Sequence, residues 1–148
     1  MPKATRSDPY TRFNFRVQLD GVEAGAFTEV TGLDSVTEVI EYRTGDSKLS
    51  SSVKLPGLTK YPNIVLKRGI TRDLSLWQWR KSVVNGVTER RNGVIILMDE
   101  SRKDVLRWTF RDGWPVKWEG PDLDASSSEV AIETIEIAHE GLELESVG

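Results

Sequence analysis

Residues Phe13 to Asp20 alternate without error: Phe13, Phe15, Val17 and Leu19 fall on one side, and Asn14, Arg16, Gln18 and Asp20 on the other. A period of two predicts an antiparallel strand with one face buried and one wet. Asp20-Gly21 supplies turn chemistry, and Gly25 to Leu33, carrying Phe27 and Val30, reads as the return strand of a hairpin. Val36 to Arg43 predicts a third strand, with Val36, Ile40 and Tyr42 opposed to Thr37, Glu41 and Arg43. Gly45 to Lys60 reads GDSKLSSSVKLPGLTK, where four Ser and a Pro-Gly pair leave neither period. That composition predicts a long exposed loop. Loops beyond about 12 residues in a compact domain are usually functional or disordered, and this one carries Leu49, Val53, Leu55 and Leu58, apolar residues that need a partner surface.

Asn63 to Arg68 is a short strand. A helix is expected over about 74–85: Ser75 and Gln78 have capping-box spacing, Asp73 competes as the cap, and Asn85-Gly86 ends the run. Gly93 to Met98 is almost continuously apolar and predicts a strand buried on both faces. Val105 to Asp112 and Trp114 to Glu119 alternate on either side of Gly113 and read as a hairpin. In Glu129 to Glu140 the apolar set shifts phase, from Val130 and Ile132 to Ile135 and Ile137, and the crowding of β-branched residues favours a bulged strand over a helix. The fold class that follows is mainly β, a small antiparallel barrel or sandwich with one flanking helix. It forms a single domain over 1–148, with a loose arm at 1–12, a long interaction loop at 45–60 and a frayed end at 141–148.

At 148 residues the chain is the size of one ordinary domain, which buries roughly 70% of its unfolded surface. Its 20 basic and 23 acidic residues are interspersed, so a net charge of −3 offers no field of one sign and no nucleic-acid specificity. No cysteine is present, which removes disulfides, thiolate metal sites and a Cys nucleophile. The first residues lack an apolar signal region, and no run approaches the 18 apolar residues of a membrane span. The expectation is a chain made and assembled in the cytoplasm, without a stable membrane anchor, and released, if at all, as particles by lysis.

Catalytic chemistry finds no support in the residues. His139 is the only histidine, with Glu136 and Glu140 beside it, but no nucleophile elbow, phosphate loop, dinucleotide fingerprint or zinc motif accompanies it. Asp122, Asp124 and Ser126 to Ser128 lack the glycine and terminal glutamate of a calcium loop. No catalytic residue, metal or cofactor is therefore expected, and the chain reads as a non-enzyme. Of five Trp, Trp108, Trp114 and Trp118 share the apolar side of alternating segments and belong to the core, whereas Trp77 or Trp79 would be the platform of a glycan-binding sandwich. Short antiparallel strands leave sheet edges that must be blunted or paired, and closing a ring of copies edge to edge would pair them all.

Several ordered blocks resemble the tail-tube proteins of contractile phage tails and of phage-derived extracellular contractile injection systems. They are DPYTRFNFRV (Asp8 to Val17), FTEVTGL (Phe27 to Leu33), IEYR (Ile40 to Arg43), KLPGLTKYPNIVLKRGI (Lys54 to Ile70), LWQWR (Leu76 to Arg80), RRNGVIILMDE (Arg90 to Glu100), WPVKWEGPDLDA (Trp114 to Ala125) and EVAIETIEIAHEGLE (Glu129 to Glu143). The resemblance implies a fold like the haemolysin-coregulated tube protein of type VI secretion. It also implies homohexameric rings stacked into a hollow tube, with sheath, baseplate and tube-cap proteins as partners and cargo in the lumen. The family uses the loop after the third strand to contact neighbouring copies. The interface residues are then Gly45, Lys48, Leu49, Val53, Lys54, Leu55, Pro56, Leu58 and Lys60. Two other roles stand beside this one: a tube-initiator or baseplate-proximal ring paralogue, and the glycan-binding sandwich.

Overall fold

The structure is a computed structural model that describes residues 9, 14–20, 22–25, 27–43, 45 and 52–147. Its elements in chain order are β1 (Asn14–Leu19), β2 (Val22–Glu23), β3 (Glu29–Thr31), β4 (Val36–Tyr42), β5 (Val53–Lys60), β6 (Ile64–Gly69), α1 (Ser75–Val84), β7 (Arg91–Met98), β8 (Asp104–Glu119), β9 (Ile132–Ala138) and β10 (Gly141–Ser146). The fold is mainly β, antiparallel throughout, with one helix, as the alternation predicts. The main sheet runs β2-β1-β7-β8-β9-β6-β3 with β10 also on β8, and β4 and β5 form a separate pair.

The segment read as a hairpin around Gly113 is instead one strand, the 16-residue β8. Its first half pairs with β7 on one edge and β10 on the other, and its second half pairs with β9. Asp112 takes a left-handed φ of 55° at the joint, so the Asp-Gly signal produces a bend in a strand rather than a reversal. Phe110 lies over this bend, fully buried. A Cβ on Gly93 would come within 2.1 Å of its ring and one on Gly113 within 2.5 Å. Both positions therefore need glycine for close approach rather than for backbone freedom.

Folding the sheet over at β8 brings Val17, Leu19, Ile95 and Phe110 of one half against Ile64, Leu66, Ile135 and Ile137 of the other, with Leu76 and Trp79 of α1 in the same cluster. Trp108 and Trp118 pack against it. Trp114 is half-buried outside it, because a register shift between Pro115 and Lys117 resets the alternation that sequence placed on one side. Other local expectations also change. The return strand of β1 is the two-residue β2, whereas Glu29–Thr31 pairs with β6. The end expected to fray forms β10 from Gly141 to Ser146, held because Leu142 packs on the core. The expected N-terminal arm falls almost wholly outside the described residues.

The helix starts at Ser75, with its backbone N–H 3.0 Å from Asp73 Oδ1, so Asp73 and not the Ser75–Gln78 pair satisfies the first orphan donor. At the other end Gly86 adopts φ 87°, and Gly86 and Val87 donate to the carbonyls of Val83 and Ser82. That is the two-bond Schellman closure.

The phase shift in β9 also has a physical cause. Its register with β6 is unbroken from Ile132 to Ile137, so Glu133, Ile135 and Ile137 share the buried face. Glu133 sits among aliphatics because Arg68 of β6 meets it: Nε donates to Glu133 Oε1 at 2.6 Å, and the side chains are 5% and 3% exposed. Arg68 Nη1 also donates to the Ala24 carbonyl at 2.6 Å, and its guanidinium stands 5.5 Å from the centre of the Phe27 ring.

Removing one member of a buried pair strands the other's charge, at a cost of about 3–5 kcal/mol, while replacing both with apolar groups is far milder. Arg68→Met, which leaves Glu133 alone, should lower unfolding free energy in urea by that amount, and Arg68→Met/Glu133→Leu should recover much of it, whereas Arg68 keeps Asp73 at 3.3 Å if only Glu133 is removed. Equal losses in the two variants would contradict the pairing. Hydrogen bonds from the Ser75 backbone and side chain, ahead of the Arg68 charge, hold the Asp73 carboxyl below its usual range. A depressed folded-state pKa gives stability that is present at neutral pH and disappears as pH falls through that lowered value. Asp73→Ala should therefore cost about 1 kcal/mol near pH 7, with the gap from the parent closing in acid melts.

Candidate assembly surface

The strands β4 and β5 form an arm inserted between β3 and β6. Its root is tight: Gly32 takes φ 89°, and a Cβ there would lie 2.0 Å from the Asn63 carbonyl oxygen. Beside it, His139 places Nδ1 3.0 Å from the Gly141 carbonyl oxygen and Nε2 3.1 Å from that of Pro62. The His139 ring also contacts Tyr61 and Phe110, at centroid distances of 5.7 and 5.8 Å. The lone histidine thus ties the arm's root to the core, and backbone carbonyls occupy both ring nitrogens.

Beyond the root, every residue of β4 and all of β5 except Gly57 are exposed. The segment read as a loop is therefore a strand from Val53 onward. Pro56-Gly57 reads as a breaker but is accommodated at a bulge, where the register shifts between Thr37 and Val39. A Cβ on Gly57 would press on Ile40 at 3.1 Å. Ile40 faces Leu55 and Tyr42 faces Val53 across the pair, so one face of the arm presents four apolar side chains, all 45–54% exposed. The other face carries Thr37 against Thr59, with hydroxyls 2.9 Å apart, Val39 opposite Pro56, and Glu41 opposite Lys54.

Of the expected interface residues, Val53, Lys54, Leu55, Pro56, Leu58 and Lys60 lie in β5. Gly45 is an exposed turn residue with open space around its Cα, and Lys48 and Leu49 lie outside the described residues. β4, which carries the other half of the arm's apolar face, was not among the expected residues. Its alternation predicted a strand, but an isolated strand does not reveal its partner.

The remaining chemistry is structural. Asp124 Oδ1 accepts from the Ser126 N–H at 3.0 Å and its hydroxyl at 2.7 Å, which lowers the Asp124 pKa and closes an Asx turn. Among the described residues no cluster of His, Asp and Glu is arranged to hold a metal, and no helix is long and apolar enough to cross a membrane. Trp79 is 1% exposed and donates Nε1 to the Glu89 carbonyl at 2.7 Å, so it offers no face to a sugar. Trp77 is partly covered by Trp118, with ring centroids 5.0 Å apart.

Residues 11–143 match the family model of the T4-like virus tail tube protein gp19. The chain belongs to that family. Comparison with curated proteins finds no match. Among solved structures, the fold is similar to a chain of the PVC sheath-tube complex, an extracellular contractile injection system in its extended state. That match has 25% identity and a TM-score of 0.84, covering 94% of this chain and 93% of that one. A chain of the anti-feeding prophage baseplate, 6-fold symmetrised, gives 27% identity and a TM-score of 0.80 over 95% and 97% of the two chains. Hcp1 from Flavobacterium johnsoniae shares the fold at 16% identity, with a TM-score of 0.60 over 89% and 94%. The chain is a tail-tube protein, and its family is structural.

Proposed function

We propose that copies of this chain form hexameric rings that stack into the hollow inner tube of a contractile injection system, with the β4–β5 arm as the main contact between copies. The single observation that carries this is the arm itself: two directly opposed apolar pairs, Ile40–Leu55 and Tyr42–Val53, held half exposed on a hairpin with a tight root. Fully burying such side chains contributes roughly 1.5–3 kcal/mol each, and within one chain about half of that contribution is unrealised. Membership of the tail-tube family supplies the assembly, and the six-fold baseplate containing a similar chain supports the ring number.

The main sheet supports the same reading. It ends in the short strands β2 and β3, and β10 is bonded only to β8 among the described strands. Edge-to-edge closure of a ring satisfies such strands as a closed barrel does. Function on this account is mechanical, with no catalytic step: the tube is rigid cargo-bearing pipe, driven by a sheath and bounded by baseplate and cap proteins. The structures resembling it come from sheath-tube, cap and baseplate assemblies, which supports those partners. Assembly proceeds in the cytoplasm, with release as particles.

Leu55→Asp/Leu58→Asp should leave circular dichroism and the melting profile of the monomer near those of the parent, since both residues are exposed at 45% and 69%. The same variant should lose stacked rings in negative-stain micrographs. Tubes of normal length in that variant would overturn the assignment of the arm.

A further inference from the structure

A groove between α1 and the second half of β8 is lined by Ile70, Leu74, Trp77, Trp118 and Glu133 and holds about 260 Å³. Its carboxylate is already paired with Arg68, so what the groove offers is apolar: Leu74 is 51% and Trp77 40% exposed. Resting on the tube reading above, we infer that this groove receives the β4–β5 arm of a second copy.

The geometry of β6 supports that occupant. The arm springs from its Ile64 end, whereas Ile70 and Leu74 follow its Gly69 end, roughly 20 Å away along a six-residue strand. The arm leaves with its residues exposed and does not cover the groove of its own chain. An arm at one end and a receptor at the other allow a head-to-tail contact, which, repeated from copy to copy, yields rings or stacks.

Charge and length agree. Residues 119–132 contain four acidic and no basic side chains, and this segment leaves β8 with Gly120 close to the Trp118 ring. The arm between 36 and 60 carries four basic against three acidic residues. The groove alone is lined by five residues, far fewer than the roughly 20–30 a side of a stable interface. An extended strand of eight residues, roughly 26 Å long, is long enough to continue past it over Val130, which is 75% exposed and lies beside Gly69.

The absence of native cysteine makes the test clean. Single variants Tyr42→Cys, Leu55→Cys and Leu58→Cys would each be mixed with Trp77→Cys, and separately with Leu74→Cys in case the indole is needed for folding. After assembly, oxidation and digestion, disulfide-linked peptides are read by mass spectrometry, and tubes are counted in the same sample by microscopy. The expected result is mixed arm-to-groove peptides exceeding either like-to-like peptide for at least one arm position. Tubes without mixed peptides would overturn the groove as receptor while leaving the tube reading intact. Absence of both tubes and mixed peptides would overturn the two together.

Discussion

One strand has to serve two halves of a sheet, and the rest of the molecule is arranged around that constraint. Fully extended, the 16 residues of β8 would span roughly 50 Å, too long for a compact chain of this size, whose radius of gyration is about 15 Å. The strand therefore bends at Asp112 and Gly113. Opposite the bend, β9 gives way to β10 across His139 and Glu140, with the Glu140 N–H on the Arg111 carbonyl at 3.0 Å. Phe110 fills the angle over two glycines. Beyond the reach of β7, α1 lies against β8, and Arg80 donates to the Pro115 carbonyl at 3.0 Å. The same bend places His139 where it grips the arm's root, so core packing and the placement of the arm share one cause.

Assembly surfaces are otherwise hard to tell from ordinary solvated faces. Here the distinction comes from organisation rather than from total apolar area, since scattered exposed apolar residues are normal on any protein. Ile40, Tyr42, Val53 and Leu55 are paired in register on one face of the arm, and the strands that hold them make a hairpin on a tight root. A hairpin of two strands is marginal by itself, so an arm that leaves its side chains uncovered gains most from a neighbouring copy.

Much of this was legible in the alternation of the chain. The strands β1, β4, β6 and β7 and the helix were placed by period and composition, and the family by its ordered sequence blocks, whereas β5 was read as a loop. The failures share a physical origin: turn-forming residues do not say whether a chain reverses, bends or bulges. Asp112-Gly113 bends a strand, and Pro56-Gly57 sits in one at a bulge. Both depend on which strand lies alongside, which is tertiary information. The ambiguity at β9 had the opposite cause, because a glutamate on the buried face looks like a phase error until its arginine, 65 residues away, is seen. The groove beside Trp77 was not visible at all, since Ile70 and Leu74 lie in the stretch that holds Trp77 but Trp118 and Glu133 come from two others.

A cryo-electron reconstruction of the wild-type protein after self-assembly tests the central claim most directly. The account predicts stacked rings of six around an open lumen, with Ile40, Tyr42, Val53 and Leu55 buried against a neighbouring copy. A tube in which the arm projects freely into solvent, or a protein that assembles without rings at all, would contradict it.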